Sequence, residues 1–184
     1  MYRLIALFAL LLTVHPVMAT EAGWALLRDG GQVVLLNSAA TNGTSEPANF
    51  DIEVCSTQRN LSARGRQQAK RIGALIFARA APVEEVVTSS HCRSRDTGFL
   101  AFGDEDIEIW PALNNSEPES AAAEENVAAI KERIDAYSGS GNLFLITQEQ
   151  VIQALTGARV RDGEALILSR GAEQLSVAAR IRFN

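Results

Sequence analysis

Polar side chains follow three apolar runs that have the composition of buried strands. These side chains are Asn37, Ser38 and Thr41 after residues 33–36, Ser89, Ser90 and Arg93 after residues 83–88, and Thr147 and Gln148 at the end of the run from 142. The carboxyl ends of parallel strands form the ligand crevice of open α/β sheets, so we expect these residues to line one crevice with Arg59. Arg93 opens a predicted helix, where backbone N–H groups already favour an anion.

Ser38 and His91 are the two candidates for a nucleophile or a base. A serine needs a base within hydrogen-bonding reach, and the sequence predicts no histidine opposite Ser38. His91 stands two residues before Arg93 at the start of a predicted helix. A helix N-terminus lowers the pKa of a histidine and presents it to solvent, so we expect a surface or capping residue. Neither residue is predicted to be catalytic.

The remaining segments supply the elements that would position these side chains. Apolar runs and turn residues predict strands at 32–36, 83–88, 106–110, 142–147, 164–168 and 174–182. Helical spacing predicts helices at 24–28, 61–79, 91–102, 121–137 and 150–155. Ser62 is a predicted N-cap, and residues 42–60 are predicted to form a long loop. Strands and helices alternate, so we expect a three-layer α/β/α domain with a largely parallel sheet.

The composition predicts one globular domain behind an export signal. A chain of 184 residues that is 47% hydrophobic is long enough for a single core. Arg3, the apolar residues 4–14 and the small-x-small triplet ending at Ala19 predict a signal peptide over 1–19 and a domain over 20–184. An uncleaved membrane anchor is the alternative. The formal net charge of −5, with no basic cluster, argues against nucleic acid or anionic membrane as a partner.

Cys55 and Cys92 are the two cysteines of the chain. An even count in an exported protein favours one disulfide over a metal site, which would need more cysteine or histidine ligands. The bond would tie the 42–60 loop to the rim of the crevice beside Arg93. We expect no metal ion and no cofactor.

Three segments carry a further pattern. They are Gln58-Arg59-Asn60-Leu61-Ser62-x-x-Gly65-Arg66-x-Gln68-Ala69, Ser89-Ser90-x-Cys92-Arg93-x-Arg95-Asp96-Thr97, and Ala154-Leu155-Thr156-Gly157. In this order and spacing they resemble the histidine phosphatase (phosphoglycerate mutase-like) superfamily. More narrowly, they resemble its exported branch, which includes heptose-phosphate phosphatases of the cell envelope. The resemblance covers nearly all of the predicted domain and implies a phosphoglycerate mutase-like fold, a bacterial periplasmic location and a small phosphorylated or anionic ligand.

The resemblance also implies the roles of the crevice residues. In that family a histidine after the first strand attacks the phosphoryl group, and two arginines and a second histidine hold the phosphate oxygens. The Arg-His pair aligns with Asn37-Ser38, and the second histidine aligns with Gln148. Arg93 matches the second arginine. Arg59 and Thr41 are its expected phosphate-binding neighbours, a surface position being the alternative for Arg59.

Two further features bear on this alignment. The family's leaving-group acid has only one nearby candidate, Glu117. Arg28-Asp29-Gly30 offers a second register that imitates the family's Arg-His-Gly with Asp in place of His. A short helical turn is a poor substitute for a buried strand, so we favour the register at Asn37-Ser38. The nucleophilic histidine is absent in both registers.

Three functions follow from this sequence. The first is an exported pseudophosphatase that has lost phosphohistidine chemistry and keeps an anion pocket around Arg93. The second is an active phosphomonoester phosphatase, acting on a phosphorylated sugar or envelope metabolite through an unorthodox site. The third is a non-catalytic periplasmic domain that binds a partner and has no anion affinity. The simultaneous replacement of both histidines and one arginine favours the first.

Overall fold

A computed structural model describes residues 17–103, 106–169 and 175–183, with the backbone alone for 17–20. The five α-helices of these residues are α1 (Val17–Asp29), α2 (Ala63–Ala78), α3 (Cys92–Phe102), α4 (Ala121–Ala136) and α5 (Glu149–Thr156). The six strands are β1 (Val33–Asn37), β2 (Val83–Thr88), β3 (Ile107–Ile109), β4 (Asn142–Thr147), β5 (Glu164–Ser169) and β6 (Ser176–Arg182). Short 3-10 turns lie at Cys55–Thr57 and Pro111–Leu113.

The strands form one sheet in the order β3-β2-β4-β1-β5-β6. The pairs β3–β2, β2–β4 and β4–β1 are parallel, and β5 and β6 continue the sheet antiparallel. Asn37 is opposite Thr147, and Thr88 is opposite Ile146. The carboxyl ends of β1, β4 and β2 therefore meet at one edge, as the sequence predicted for a largely parallel sheet.

Alternate side chains of the central strands pack into two separate hydrophobic cores, one on each face of the sheet. Val33 and Leu35 of β1 pack in a cluster with residues of α4 and α5. Val34 and Leu36 pack on the opposite face in a cluster with residues of α1 and α2. Successive strand residues point to opposite faces, so a continuous apolar run is what a strand covered by helices on both sides requires. The three-layer α/β/α prediction is confirmed.

The amino end of α2 sits against the segment that follows β1. Ser62 is the N-cap, and its hydroxyl accepts a 3.0 Å hydrogen bond from the N–H of Gly65. The same hydroxyl donates to the carbonyl of Ala40 at 3.0 Å. A side chain at Gly65 would collide with that carbonyl, so glycine is required for α2 to approach so closely. This contact fixes the start of the loop that carries the crevice residues.

The largest difference from the predicted elements is at α1, which begins at Val17 rather than at Trp24. Residues 17–19 are the last three of the predicted signal peptide and 20–23 have no predicted element, although the composition of both segments suits a helix. Trp24 and Leu27 are buried against the sheet beside Ile181 of β6. Residues 1–16 of the predicted signal peptide lie outside the described residues. Within the part of the chain that is described, no helix is long and apolar enough to cross a membrane.

Candidate functional site

An open cavity of about 340 Å³ lies at the carboxyl ends of β1 and β4. Its lining includes the six predicted residues Asn37, Ser38, Thr41, Arg59, Arg93 and Gln148. Its other polar lining residues are Thr44, Glu149, Gln150 and Asp162. The structure therefore brings the six predicted residues together around one space, which we call the strand-end pocket. The other expected crevice residues, Ser89, Ser90 and Thr147, are not among its lining residues.

Neutral hydrogen bonds join the side chains at the floor of the strand-end pocket. The Gln148 amide donates to the hydroxyls of Ser89 at 2.8 Å and Ser94 at 2.7 Å. The hydroxyls of Ser94 and Ser38 are 2.8 Å apart, and Ser38 donates to the carbonyl of Thr147 at 2.8 Å. A hydroxyl has one proton, so Ser94 must donate to Ser38. The hydrogen bonds therefore have one donor-to-acceptor order: Gln148 donates to Ser94, Ser94 donates to Ser38, and Ser38 donates to the carbonyl of Thr147.

This direction determines what Ser38 can do. The hydroxyl of Ser38 is buried and gives its only proton to the Thr147 carbonyl, which is not a base. Of the side chains described, the one that hydrogen-bonds to its oxygen is the hydroxyl of Ser94. An activated serine requires a base within hydrogen-bonding reach. Ser38 therefore has the partners of a structural residue.

The side chain and the backbone carbonyl of Asn37 both hydrogen-bond to backbone groups of the segment before β5. The side-chain amide of Asn37 donates to the backbone carbonyl of Arg161 at 3.1 Å. The backbone carbonyl of Asn37 accepts a 3.2 Å hydrogen bond from the N–H of Gly163. These bonds hold the segment before β5 against the end of β1. Asn37 offers the strand-end pocket no positive charge.

Arg93 is the charged residue at the base of the strand-end pocket. It is 3% exposed, and its Nη1 forms an ion pair with Oε1 of Glu46 from the 42–60 loop. The other oxygen of Glu46 accepts a 2.8 Å hydrogen bond from the backbone N–H of Arg59. Nε of Arg59 lies 3.9 Å from Glu46 Oε1, and this buried nitrogen has no hydrogen-bond partner among the described residues. One carboxylate thus lies between the two predicted anion-binding arginines.

Glu46 remains ionised in these surroundings. Burial alone would raise the pKa of its carboxyl, but the N–H of Arg59 and the charge of Arg93 outweigh it and lower the pKa below its ordinary value. A carboxylate with a lowered pKa is a poor proton donor near neutral pH. Glu46 is therefore unsuited to protonating a leaving group.

His91 differs from its prediction as a surface or capping residue. It is 4% exposed, and its imidazole makes no capping hydrogen bond to α3. Phe50 of the 42–60 loop stacks on the ring with centroids 5.7 Å apart. Nδ1 has no hydrogen-bond partner within the described part of the chain. Burial and the positive charge of Arg93 lower the pKa of His91 to about 4, so the ring is neutral at pH 7.

Two further contacts hold the 42–60 loop on α3. Cys55 and Cys92 form the predicted disulfide, with their Cα atoms 5.7 Å apart. The buried side chain of Gln58 accepts a 2.9 Å hydrogen bond from the N–H of Cys92, the first residue of α3. Its amide donates back to loop carbonyls at Asp51 and Ile52. The part of the loop on the carboxyl side of Glu46 is therefore fixed by contacts with α3 and with itself.

Two sequence candidates fall outside the strand-end pocket. Glu117 is not among its lining residues. Arg28 and Asp29 are exposed at the end of α1, and Gly31 bonds to Gly141 before β1 begins. That region is the opposite edge of the sheet from the strand-end pocket. The favoured register, with Asn37-Ser38 at the pocket, is the one that the fold places at the strand ends.

Glu46, Ser94 and Gln58 are the functional-site residues that sequence reasoning missed. Glu46 and Gln58 lie in a loop without periodicity, so no local signal marks their partners. Ser94 follows Arg93 at the start of α3, where a search for hydroxyls near Ser38 would have found it. No group of three or more metal-ligating side chains occurs in the ranges that the structure describes.

No protein-family model and no curated protein matches the sequence. Solved structures do match by fold. An alpha-ribazole phosphatase from Shigella flexneri superposes with a TM-score of 0.61 at 16% identity, covering 83% of this chain and 96% of that one. The protein histidine phosphatase SixA complexed with tungstate gives 0.60 at 11% identity, covering 83% and 97%. A phosphoserine phosphatase mutant from Entamoeba histolytica, in complex with phosphoserine, gives 0.62 at 10%, covering 83% and 98%.

These neighbours are members of the histidine phosphatase superfamily. The likeness at 10–16% identity concerns the backbone architecture. The chain has the phosphoglycerate mutase-like fold, as the sequence resemblance implied.

Proposed function

We propose that this chain is an exported pseudophosphatase: it keeps the fold and an arginine-based anion pocket of histidine phosphatases and has lost phosphoryl-transfer chemistry. The observation that carries the proposal is the hydrogen-bond direction at Ser38, whose proton goes to the carbonyl of Thr147. Phosphoryl transfer through a covalent intermediate needs a nucleophile with an available lone pair and a group that activates it. Ser38 lacks the activating group, because its hydrogen-bond partners are the hydroxyl of Ser94 and the carbonyl of Thr147, and neither is a base.

The second position aligned with a family histidine supports the same conclusion. Gln148 is buried, and its amide is held by the hydroxyls of Ser89 and Ser94. An uncharged amide offsets little of the negative charge that develops on a transferring phosphoryl group. With Asn37 in the place of an arginine, the strand-end pocket lacks three of the four groups that the resemblance implies.

Arg93 supports the retained anion pocket. A buried guanidinium at the start of a helix binds anions well because its charge adds to the N–H groups of the first turn. The structural neighbours include proteins complexed with tungstate and with phosphoserine. We infer that a small phosphorylated or otherwise anionic molecule is the ligand here.

Export to a bacterial periplasm is part of the proposal. The Cys55–Cys92 disulfide supports it, because such bonds form and persist in oxidising compartments. The protein recovered from the periplasm of an expressing bacterium should begin at Thr20. A chain that keeps Met1 and stays with the membrane would contradict cleavage after residue 19.

Hydrolysis of a chromogenic phosphate monoester tests the lost chemistry. The wild type and Ser38→Ala should both be inert, with exposed Ser45→Ala as the matched control. The triple variant Asn37→Arg/Ser38→His/Gln148→His should gain turnover if the strand-end pocket is inherited. Wild-type turnover that Ser38→Ala abolishes would overturn the proposal. A folded triple variant without any turnover would contradict descent of the pocket from a phosphatase site.

A further inference from the structure

The two arginines that line the strand-end pocket share an anionic partner from their own chain. Glu46 places one carboxylate oxygen on Nη1 of Arg93 and the other 2.8 Å from the N–H of Arg59. A charged guanidinium that is 3% exposed needs such a partner, because an unpaired buried charge is strongly destabilising. The carboxylate therefore fills the position that an anionic ligand of Arg93 would take.

We propose that Glu46 is an internal ligand of the strand-end pocket, and that it selects tetrahedral dianions over monocarboxylates because any external anion must displace it from Arg93 and Arg59. This inference rests on the proposed anion-binding function and names the residue that sets its specificity. Glu46 acts by competition and takes no part in chemistry.

The 42–60 loop makes this competition effective. Glu46 is on a segment that the Cys55–Cys92 disulfide, the Gln58–Cys92 hydrogen bond and the Phe50–His91 stack hold against α3. A tethered group acts at an effective concentration on the order of millimolar or higher. A free carboxylate offers Arg93 the same chemistry without the tether, so it has no advantage over Glu46.

A tetrahedral dianion offers two contacts that Glu46 does not. Its second charge strengthens the attraction to both arginines. Its additional oxygens can reach Nε of Arg59, which is buried, 3.9 Å from Glu46 and without a hydrogen-bond partner in the residues described. Satisfying a buried donor removes the desolvation penalty that the unpaired group carries. The exchange therefore favours phosphate or sulfate groups over carboxylates.

The acidic residues of the strand-end pocket oppose the entry of any external anion while Glu46 is in place. Glu149 and Asp162 line the same space as Arg59 and Arg93. Together with Glu46 they make five charged side chains, three negative and two positive. The resting pocket therefore does not attract anions over a long distance. An anion is held only after the Glu46 carboxylate has left the two guanidiniums.

The test measures binding of inorganic phosphate, sulfate and acetate to the full chain by isothermal titration calorimetry. NMR of the arginine Nε–H groups locates each ion. Glu46→Gln removes the internal charge at nearly constant shape. Exposed Glu53→Gln, on the same loop, is the matched control. Glu46→Asp keeps the charge on a shorter side chain and serves if the glutamine variant is poorly folded.

Glu46→Gln should bind phosphate and sulfate at least about tenfold more tightly than the wild type. In the wild type, Glu46 occupies the arginines most of the time, and the apparent affinity for an external anion is reduced to the fraction of molecules in which the arginines are free. Acetate should bind Glu46→Gln detectably and the wild type not at all. Glu46→Asp should lie between the two, and Glu53→Gln should match the wild type. Equal phosphate affinity in wild type and Glu46→Gln would overturn the inference and leave the anion pocket standing. No phosphate binding by any folded variant would overturn both the inference and the anion-binding part of the proposed function.

Discussion

The side-chain oxygen of Gln58 lies 2.9 Å from the backbone nitrogen of Cys92 and accepts its hydrogen bond. The first N–H of α3 is thus capped by a residue from a distant loop, because His91 at the N-cap position makes no side-chain bond. Helix N-termini leave N–H groups without helical partners, and a capping side chain typically stabilises the fold by about 1 kcal/mol. The bond also joins the helix that carries Arg93 to the loop that carries Glu46.

Gln58→Ala should lower the free energy of unfolding by about 1–3 kcal/mol, since it removes the cap and both bonds to the loop carbonyls. Urea denaturation measures the change. Gln67→Ala, at an exposed position of α2, is the matched control and should stay within about 0.5 kcal/mol of the wild type. Equal effects of the two substitutions would show that the Gln58 contacts contribute nothing to stability.

Ser94→Ala should destabilise the chain by about 1–3 kcal/mol. The substitution deprives Gln148 of one acceptor and Ser38 of the donor to its oxygen, both at buried positions. Ser45→Ala, at an exposed position of the loop, provides the comparison and should have little effect. Thermal and urea unfolding give the two values. If Ser94→Ala is as stable as the wild type, the one-directional floor network is wrong.

Acid should destabilise the chain through His91. Its folded pKa of about 4 lies below the unfolded value of 6.5, so protons bind the unfolded chain first. The contribution of His91 to stability is fully present above pH 6.5 and is lost as the pH falls toward 4. The loss is on the order of 3 kcal/mol. Glu46 adds a second loss only below about pH 4.5, because its folded pKa is lowered.

The free energy of unfolding, measured by urea at intervals from pH 7 to 4.5, tests the His91 effect. His91→Gln keeps a neutral side chain and should abolish most of the slope in this window. Gln67→Ala, at an exposed position of α2, is the control and should keep the wild-type slope. Parallel pH curves for wild type and His91→Gln would rule out His91 as the cause.

Reduction of the Cys55–Cys92 disulfide should lower the free energy of unfolding by about 2–4 kcal/mol, since the bond closes a loop with a sequence separation of 37. The measurement compares unfolding with and without a phosphine reductant. Cys55→Ala/Cys92→Ala should respond like the reduced wild type and should be indifferent to the reductant. A wild type whose stability is unchanged by reduction would contradict this contribution.

The sheet and most helices could be predicted because their signals are local. Residues 33–36 form an apolar run that is long enough for a strand and too short for a helix, and Ser62 marks the start of α2. The strand-end rule then placed Ser38 and Gln148 at one edge without any knowledge of contacts. Each of these inferences needs only residue type and near neighbours.

The covering of the strand-end pocket could not be predicted in this way. Glu46 reaches Arg93 across 47 positions of sequence, and Phe50 buries His91 across 41. Both contacts depend on the path of a loop that has no periodic pattern. The same cause made His91 look like a surface residue, because its burial is provided by a segment far away in the chain.

The hydrogen-bonded floor of Ser38, Ser94 and Gln148 also constrains the paths by which this sequence can evolve. Each of these residues is donor or acceptor to another, so a single replacement leaves a buried polar group unpaired. A histidine at position 38 alone would meet Ser94 and Gln148 as they now stand, so its first effect would be to lower the stability of the fold. Mutations at these three sites are therefore epistatic. Each single substitution gives a less stable protein than the present sequence, which hinders evolution away from this arrangement one residue at a time.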